Sequence, residues 1–152
     1  MAIAGLVRGY LGLAVLPILI IAAIAIPNLL RSRMAANEAS AVGSLRTLNT
    51  ACEAYATEYR SFPPSLRNLG PGPQPSANAA DLIVDALASG QKTGYLFTYE
   101  PGPNQDRAII SYEVHADPIT PGTTGVRHFF TDQTGIIRVR MDAQASAESP
   151  SL

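Results

Sequence analysis

From position 9 to position 30 the chain carries 22 consecutive residues without a single Asp, Glu, Lys or Arg. As a helix this run would extend about 33 Å, enough to cross a hydrocarbon layer of roughly 30 Å. Its densest part, residues 11–26, is interrupted only by Gly12 and Pro17. Two readings fit the run. One is a cleavable secretory signal, with Arg8 as a thin basic region, an apolar stretch over 11–21, and Ala23-Ile24-Ala25 as the cleavage site. The other is a retained membrane helix. A signal should give way to a breaker-rich extended segment. Here Pro27 is followed instead by Asn28-Leu29-Leu30-Arg31 and a long helix-favouring stretch, which favours retention. Arg31 and Arg33 outnumber Arg8, so the charge rule alone would put the following domain in the cytoplasm.

Residues 31–60 contain no Pro and only one Gly, Gly43. Ala41, Leu45, Leu48, Cys52, Tyr55 and Tyr59 recur at alternating steps of four and three, the period of one helix face. Glu38, Arg46, Glu53, Glu58 and Arg60 read as lying off that stripe. Leu45, Leu48, Cys52, Tyr55 and Tyr59 are therefore the expected helix-to-sheet contacts. Phe62-Pro63-Pro64 ends the helix, because proline lacks the donor and restricts its predecessor. Residues 11–60 thus read as one helix of about 75 Å with a kink near Pro27.

The remainder is polar and turn-rich. Gly70-Pro71-Gly72-Pro73-Gln74-Pro75 cannot hold regular structure. Asn78 should cap a short helix reaching Ser89, with Leu82, Ile83, Ala86 and Leu87 buried. Strand-like runs follow at 95–100, 108–114, 126–131 and 136–140. Pro101-Gly102-Pro103-Asn104 makes the first connection, and Asp132-Gln133-Thr134-Gly135 a tight turn. The expected fold is α+β: a long N-terminal helix, half transmembrane and half amphipathic, packed on a small antiparallel β-sheet. Its parts are a membrane segment at 1–30, the amphipathic half at 31–60, a loop with a short helix at 61–94, an antiparallel meander at 95–140, and a flexible tail at 141–152.

Little in this sequence suggests catalysis. The formal net charge is −1, which implies no nucleic-acid partner. The lone Cys52 has neither a disulfide partner nor a CxxC motif, and on the apolar stripe it reads as an inert thiol. His115 and His128 read as half-exposed strand histidines. Asp117 and Asp132 read as loop carboxylates, Asp132 as turn chemistry. No phosphate-binding, dinucleotide or nucleophile-elbow motif is present. No catalytic residue, cofactor or metal is assigned.

The stretch from Ile20-Ile21-Ala22-Ala23-Ile24-Ala25-Ile26-Pro27-Asn28-Leu29-Leu30-Arg31 through Met34-Ala35-Ala36-Asn37-Glu38-Ala39-Ser40-Ala41 to Thr50-Ala51 closely resembles type IV pilins and the pseudopilins of type II secretion systems. The likeness resumes weakly at Gly94-Tyr95 and in His128-Phe129-Phe130-Thr131-Asp132-Gln133-Thr134-Gly135-Ile136-Ile137-Arg138. It implies a pilin-like fold and a structural subunit of a pilus or secretion pseudopilus. The site would be bacterial and single-pass in the inner membrane, with the C-terminal domain periplasmic, or extracellular in a filament. That orientation opposes the charge rule. The partners implied are the inner membrane, further copies or related pilin-like subunits, and the assembly machinery. The assembly helix would present Leu11, Leu13, Leu16, Ile20, Ile24, Pro27 and Leu30.

The family pattern also has a short basic leader, Gly and usually Phe at the peptidase cut, and Glu five residues after it. Counting back from Pro27 puts Gly5 and Leu6 at the cut and Tyr10 in place of that Glu. No basic leader precedes Gly5, and Pro17 is unusual in the span. Two accounts fit: a divergent, unprocessed subunit, or a start in which the first 15 or so residues are not authentic. The alternative function is a membrane-anchored minor pilin-like binding module that does not form the filament body. It would recognise a partner through the loops at 101–107 and 117–125.

Overall fold

Residues 34–59 wind as a helix whose apolar face repeats every three or four positions, and that face is closed by a sheet. In the computed structural model the backbone is described for residues 2–141 and 143–152, and the side chains for residues 21, 23–141 and 143–152. The chain divides into two units, Met1–Arg33 and Met34–Leu152. Helix α1 spans Ala2–Tyr59 and is helical through Pro27 without a break. It stops where Arg60 takes a left-handed φ of 58°, one residue before the expected end.

In the second unit a 3-10 turn (Leu66–Leu69) and the short helix α2 (Asp85–Ala88) precede the strands. These are β1 (Gln91–Lys92), β2 (Tyr95–Pro101), β3 (Asn104–Gln105), β4 (Ala108–Ile109), β5 (Tyr112–Pro118), β6 (His128–Asp132) and β7 (Arg138–Arg140). Five of them form an antiparallel sheet in the order β1-β2-β5-β6-β7, and β3 and β4 form a separate hairpin. The chain is therefore α+β, one long helix with an antiparallel sheet.

Several element boundaries differ from expectation, each because a backbone donor or acceptor is used elsewhere. The helix expected to begin near Asn78 is confined to α2. The N–H groups of Ala80, Asp81, Leu82 and Ile83 donate to carbonyls of residues 68–70, and Asp81 has a φ of 55°. Of its four expected buried residues, Ile83 and Leu87 are buried, whereas Leu82 and Ala86 are exposed. The strand expected at 108–114 is split. Ile109 accepts from Phe62 N–H at 3.0 Å and donates to Ser61 Oγ at 2.9 Å, so β4 belongs to a hairpin and β5 begins at Tyr112. Asp106 and Arg107, at φ of 50° and 70°, supply the two positive angles that a tight hairpin turn requires. The turn at 132–135 forms as expected, with Gly135 N–H donating to the Asp132 carbonyl at 2.9 Å and Gly135 at a φ of 73°.

The segment from 143 on, expected as a flexible tail, is placed along the outer edge of β7. Val139 N–H donates to Pro150 O and Leu152 N–H to Ile137 O, both at 2.9 Å. An unpaired edge offers such donors and acceptors to any extended segment within reach.

The core lies between α1 and one face of the sheet. Ala41, Leu45, Leu48, Cys52 and Tyr55 meet Tyr95, Phe97, Tyr112, Val114, Ala116 and Phe129. The register explains this set: Tyr95, Phe97 and Tyr99 lie opposite Pro118, Ala116 and Val114, all on one side of the pleat. Complete burial of Leu45 and Leu48 contributes on the order of 2 kcal/mol each. Tyr59 is only half-buried, its ring 4.5 Å from that of Tyr55.

Candidate functional site

Two features stand out: an exposed apolar stretch of α1, and the polar contacts that fix the helix to the sheet. Ile21, Ile24, Ile26 and Leu29 are 61–67% exposed, and Leu30 39%. Pro27 is exposed as well. Among the described residues, no helix is long and apolar enough to cross a membrane. The side chains of Leu11, Leu13, Leu16 and Ile20, of Gly5-Leu6 at the expected cut, and of Tyr10 and Pro17 lie outside the described residues. Most of the expected span at 9–30 therefore does too.

The first polar contact is centred on Glu38. Its Oε1 accepts from Val126 N–H at 2.9 Å and Arg127 N–H at 3.2 Å, and its Oε2 from Arg127 Nε at 2.7 Å. Burial pushes the Glu38 carboxyl up, but the two backbone donors and the guanidinium outweigh it and hold the group below its ordinary value of 4.5. Asn37 Nδ2 donates to Thr124 O at 2.8 Å, and Ser40 Oγ to Thr93 Oγ1 at 3.1 Å. One turn of helix thus grips both the loop before β6 and the loop before β2. The Val126 and Arg127 donors are used here, which is why β6 begins at His128 rather than at 126. Sequence reasoning placed Glu38 off the apolar stripe. It lies three residues before Ala41, extends the stripe by one step, and is 5% exposed. A carboxylate on an apolar stripe is the signal that could have found it.

The second contact is centred on Asn49. Its Nδ2 donates to Thr131 Oγ1 at 2.9 Å and to Gly135 O at 3.3 Å, and its Oδ1 accepts from Tyr112 OH at 3.1 Å. Burial pushes the Tyr112 phenol up, with Cys52 and Glu53 adding to the shift, so it stays a donor. Asn49 links the C-terminal part of α1 to β5, β6 and the turn after β6. Its one local mark is its place beside the apolar stripe, four residues after Leu45.

Other chemistry-bearing residues are spread over the sheet and its turns. Asp117, expected in a loop, lies on β5 and pairs with His128 Nδ1 at 2.6 Å. The Asp132 carboxylate accepts from Thr134 N–H at 2.9 Å, an Asx turn. The His115 ring packs 5.2 Å from that of Phe130, and its Nδ1 is buried without a partner. Among the described residues no group of three His, Cys, Asp or Glu gathers to hold a metal. Cys52 is fully buried, and burial, with Glu53 adding to it, pushes its thiol up to about 12. Its alkylation by iodoacetamide at pH 8 is expected to be at least ~100-fold slower in the native protein than in denaturant. Equal rates would show that the helix–sheet seam is open.

Comparison with known proteins finds no matching family model, no matching curated protein and no matching solved structure.

Proposed function

We propose that this chain is a structural subunit of a type IV pilus or type II secretion pseudopilus, anchored in the bacterial inner membrane through residues 9–30. It polymerises through α1 with further copies or related pilin-like subunits, and its sheet domain faces away from the cytoplasm. The supporting observation is the contrast along α1. From Ala41 to Tyr55 the apolar face is buried on the protein's own sheet, whereas Ile21, Ile24, Ile26 and Leu29 remain 61–67% exposed. A helix apolar on all sides is one that other apolar matter surrounds. Covering each of these side chains would contribute on the order of 2 kcal/mol. Lipid supplies that cover before assembly, and neighbouring helices supply it afterwards. This reading assigns the chain no catalysis and no cofactor.

The test is to shear filaments from the native cells, with a tag on the chain, and compare the natural protein with Leu29→Asp. Leu29 is 64% exposed, so the sheet domain of the variant should keep its native circular dichroism. The natural chain is expected in the sheared fraction, and the variant at least ~10-fold depleted from it, because a charge in an apolar helix bundle is costly. A natural chain that remains a membrane monomer and never enters filaments overturns the proposal. So does a variant that assembles normally.

A further inference from the structure

The face of the sheet turned away from α1 carries Leu96, Thr98, Glu113, His115, Asp117, His128, Phe130 and Arg138 in register. Most of these are at least partly exposed, yet Phe130 is only 1% exposed, and it lies outside the main core cluster. The segment that reaches this face is 143–152. Gln144 Nε2 donates to Asp117 Oδ2 at 3.1 Å, and Arg138 Nη1 donates to Ser149 O at 2.9 Å. Ala145 is 1% exposed between these two attachments. A turn closed by Ser149 N–H on Ser146 O at 3.0 Å then brings Ser151 opposite Arg138 as an edge bridge.

We propose that residues 143–152 form a strap that opens as a unit, independently of the helix–sheet core, and that when closed it covers the Phe130 ring. The asymmetry of attachment carries the inference. The core is closed by large apolar side chains and the buried Asn49 network. The strap is held by small residues, two backbone hydrogen bonds to the edge of β7, an isolated bridge and side-chain bonds at partly exposed positions, with no large apolar side chain of its own buried. Segments with few apolar contacts and solvent-accessible hydrogen bonds open at lower free energy than the core. Asp117 is the shared acceptor of the latch: one oxygen takes Gln144 and the other His128.

Native-state hydrogen exchange on the full chain tests this. The Val139 amide, which donates to Pro150 O, reports the strap, and the amides of Leu48 and Val114 report the core. Val139 is expected to exchange at least ~100-fold faster than Leu48 and Val114. Gln144→Ala, at an exposed position, should speed Val139 further, by ~3–10-fold, and leave the core amides unchanged. Exchange of Val139 at the core rate would overturn independent opening. An unchanged Val139 rate in both Gln144→Ala and Asp117→Ala would overturn the latch.

Discussion

Replacing Asn49 with leucine is expected to lower the free energy of unfolding by about 3 kcal/mol, although leucine is the more hydrophobic residue. Asn49 is 7% exposed, and its two bonded hydroxyls, on Tyr112 and Thr131, are 1% and 0% exposed as residues. Leucine would leave both hydroxyls in the core without their partner, and each orphaned group costs about 1–3 kcal/mol. The control is the triple variant Asn49→Leu, Tyr112→Phe, Thr131→Val, in which the whole cluster becomes apolar and most of the loss should be regained. Urea unfolding monitored by circular dichroism gives both values. A single variant within ~0.5 kcal/mol of the natural chain, or a triple variant no better than the single, would show that Asn49 does not fasten the helix.

The second large effect is expected at Glu38. Glu38→Gln removes the charge that Arg127 and two backbone N–H groups converge on, and should cost about 2 kcal/mol at neutral pH. That figure stays below the range for a fully buried pair because the Arg127 side chain is 38% exposed. The dependence on pH has a definite sign. The Glu38 carboxyl is held below 4.5 in the native state, so the native state binds its proton less readily than the unfolded chain. Its contribution is complete above the unfolded value and is lost as pH falls through the native one. The stability gap between the natural chain and Glu38→Gln should therefore be constant from pH 7 to about 5.5 and narrow at lower pH. A gap that widens on acidification would contradict the arrangement.

The parts of this fold legible in the sequence were those written in local periodicity. The stripe from Ala41 to Tyr55 and the Gly135 turn each follow from spacing or from one residue's backbone preference, and the helix ends ahead of Pro63, although at Arg60 rather than at the prolines themselves. What escaped was set by partners far along the chain. The start of β6 depends on Glu38, 88 residues before the Val126 amide it accepts from. The division of 108–114 depends on Ser61 and Phe62, and the placement of 143–152 on the open edge of β7. None of these has a local signature, because a backbone N–H carries no mark in the sequence of which acceptor it will find. The polar contacts were hidden for a second reason. Glu38 and Asn49 are residue types ordinarily exposed, and only their positions beside an apolar stripe distinguish them.

The separation in sequence between the helix and its cover also sets the order of events during synthesis. Asn49 meets Thr131 across 82 residues. At roughly 5–20 residues per second, the amphipathic half of α1 leaves the ribosome about 4–16 s before its β6 partner has been made. Through that interval Leu45, Leu48 and Cys52 have no complete sheet to close against, and the loop must be formed before the contacts that reward it. The nascent chain is thus most vulnerable to aggregation in the window before β6 is complete.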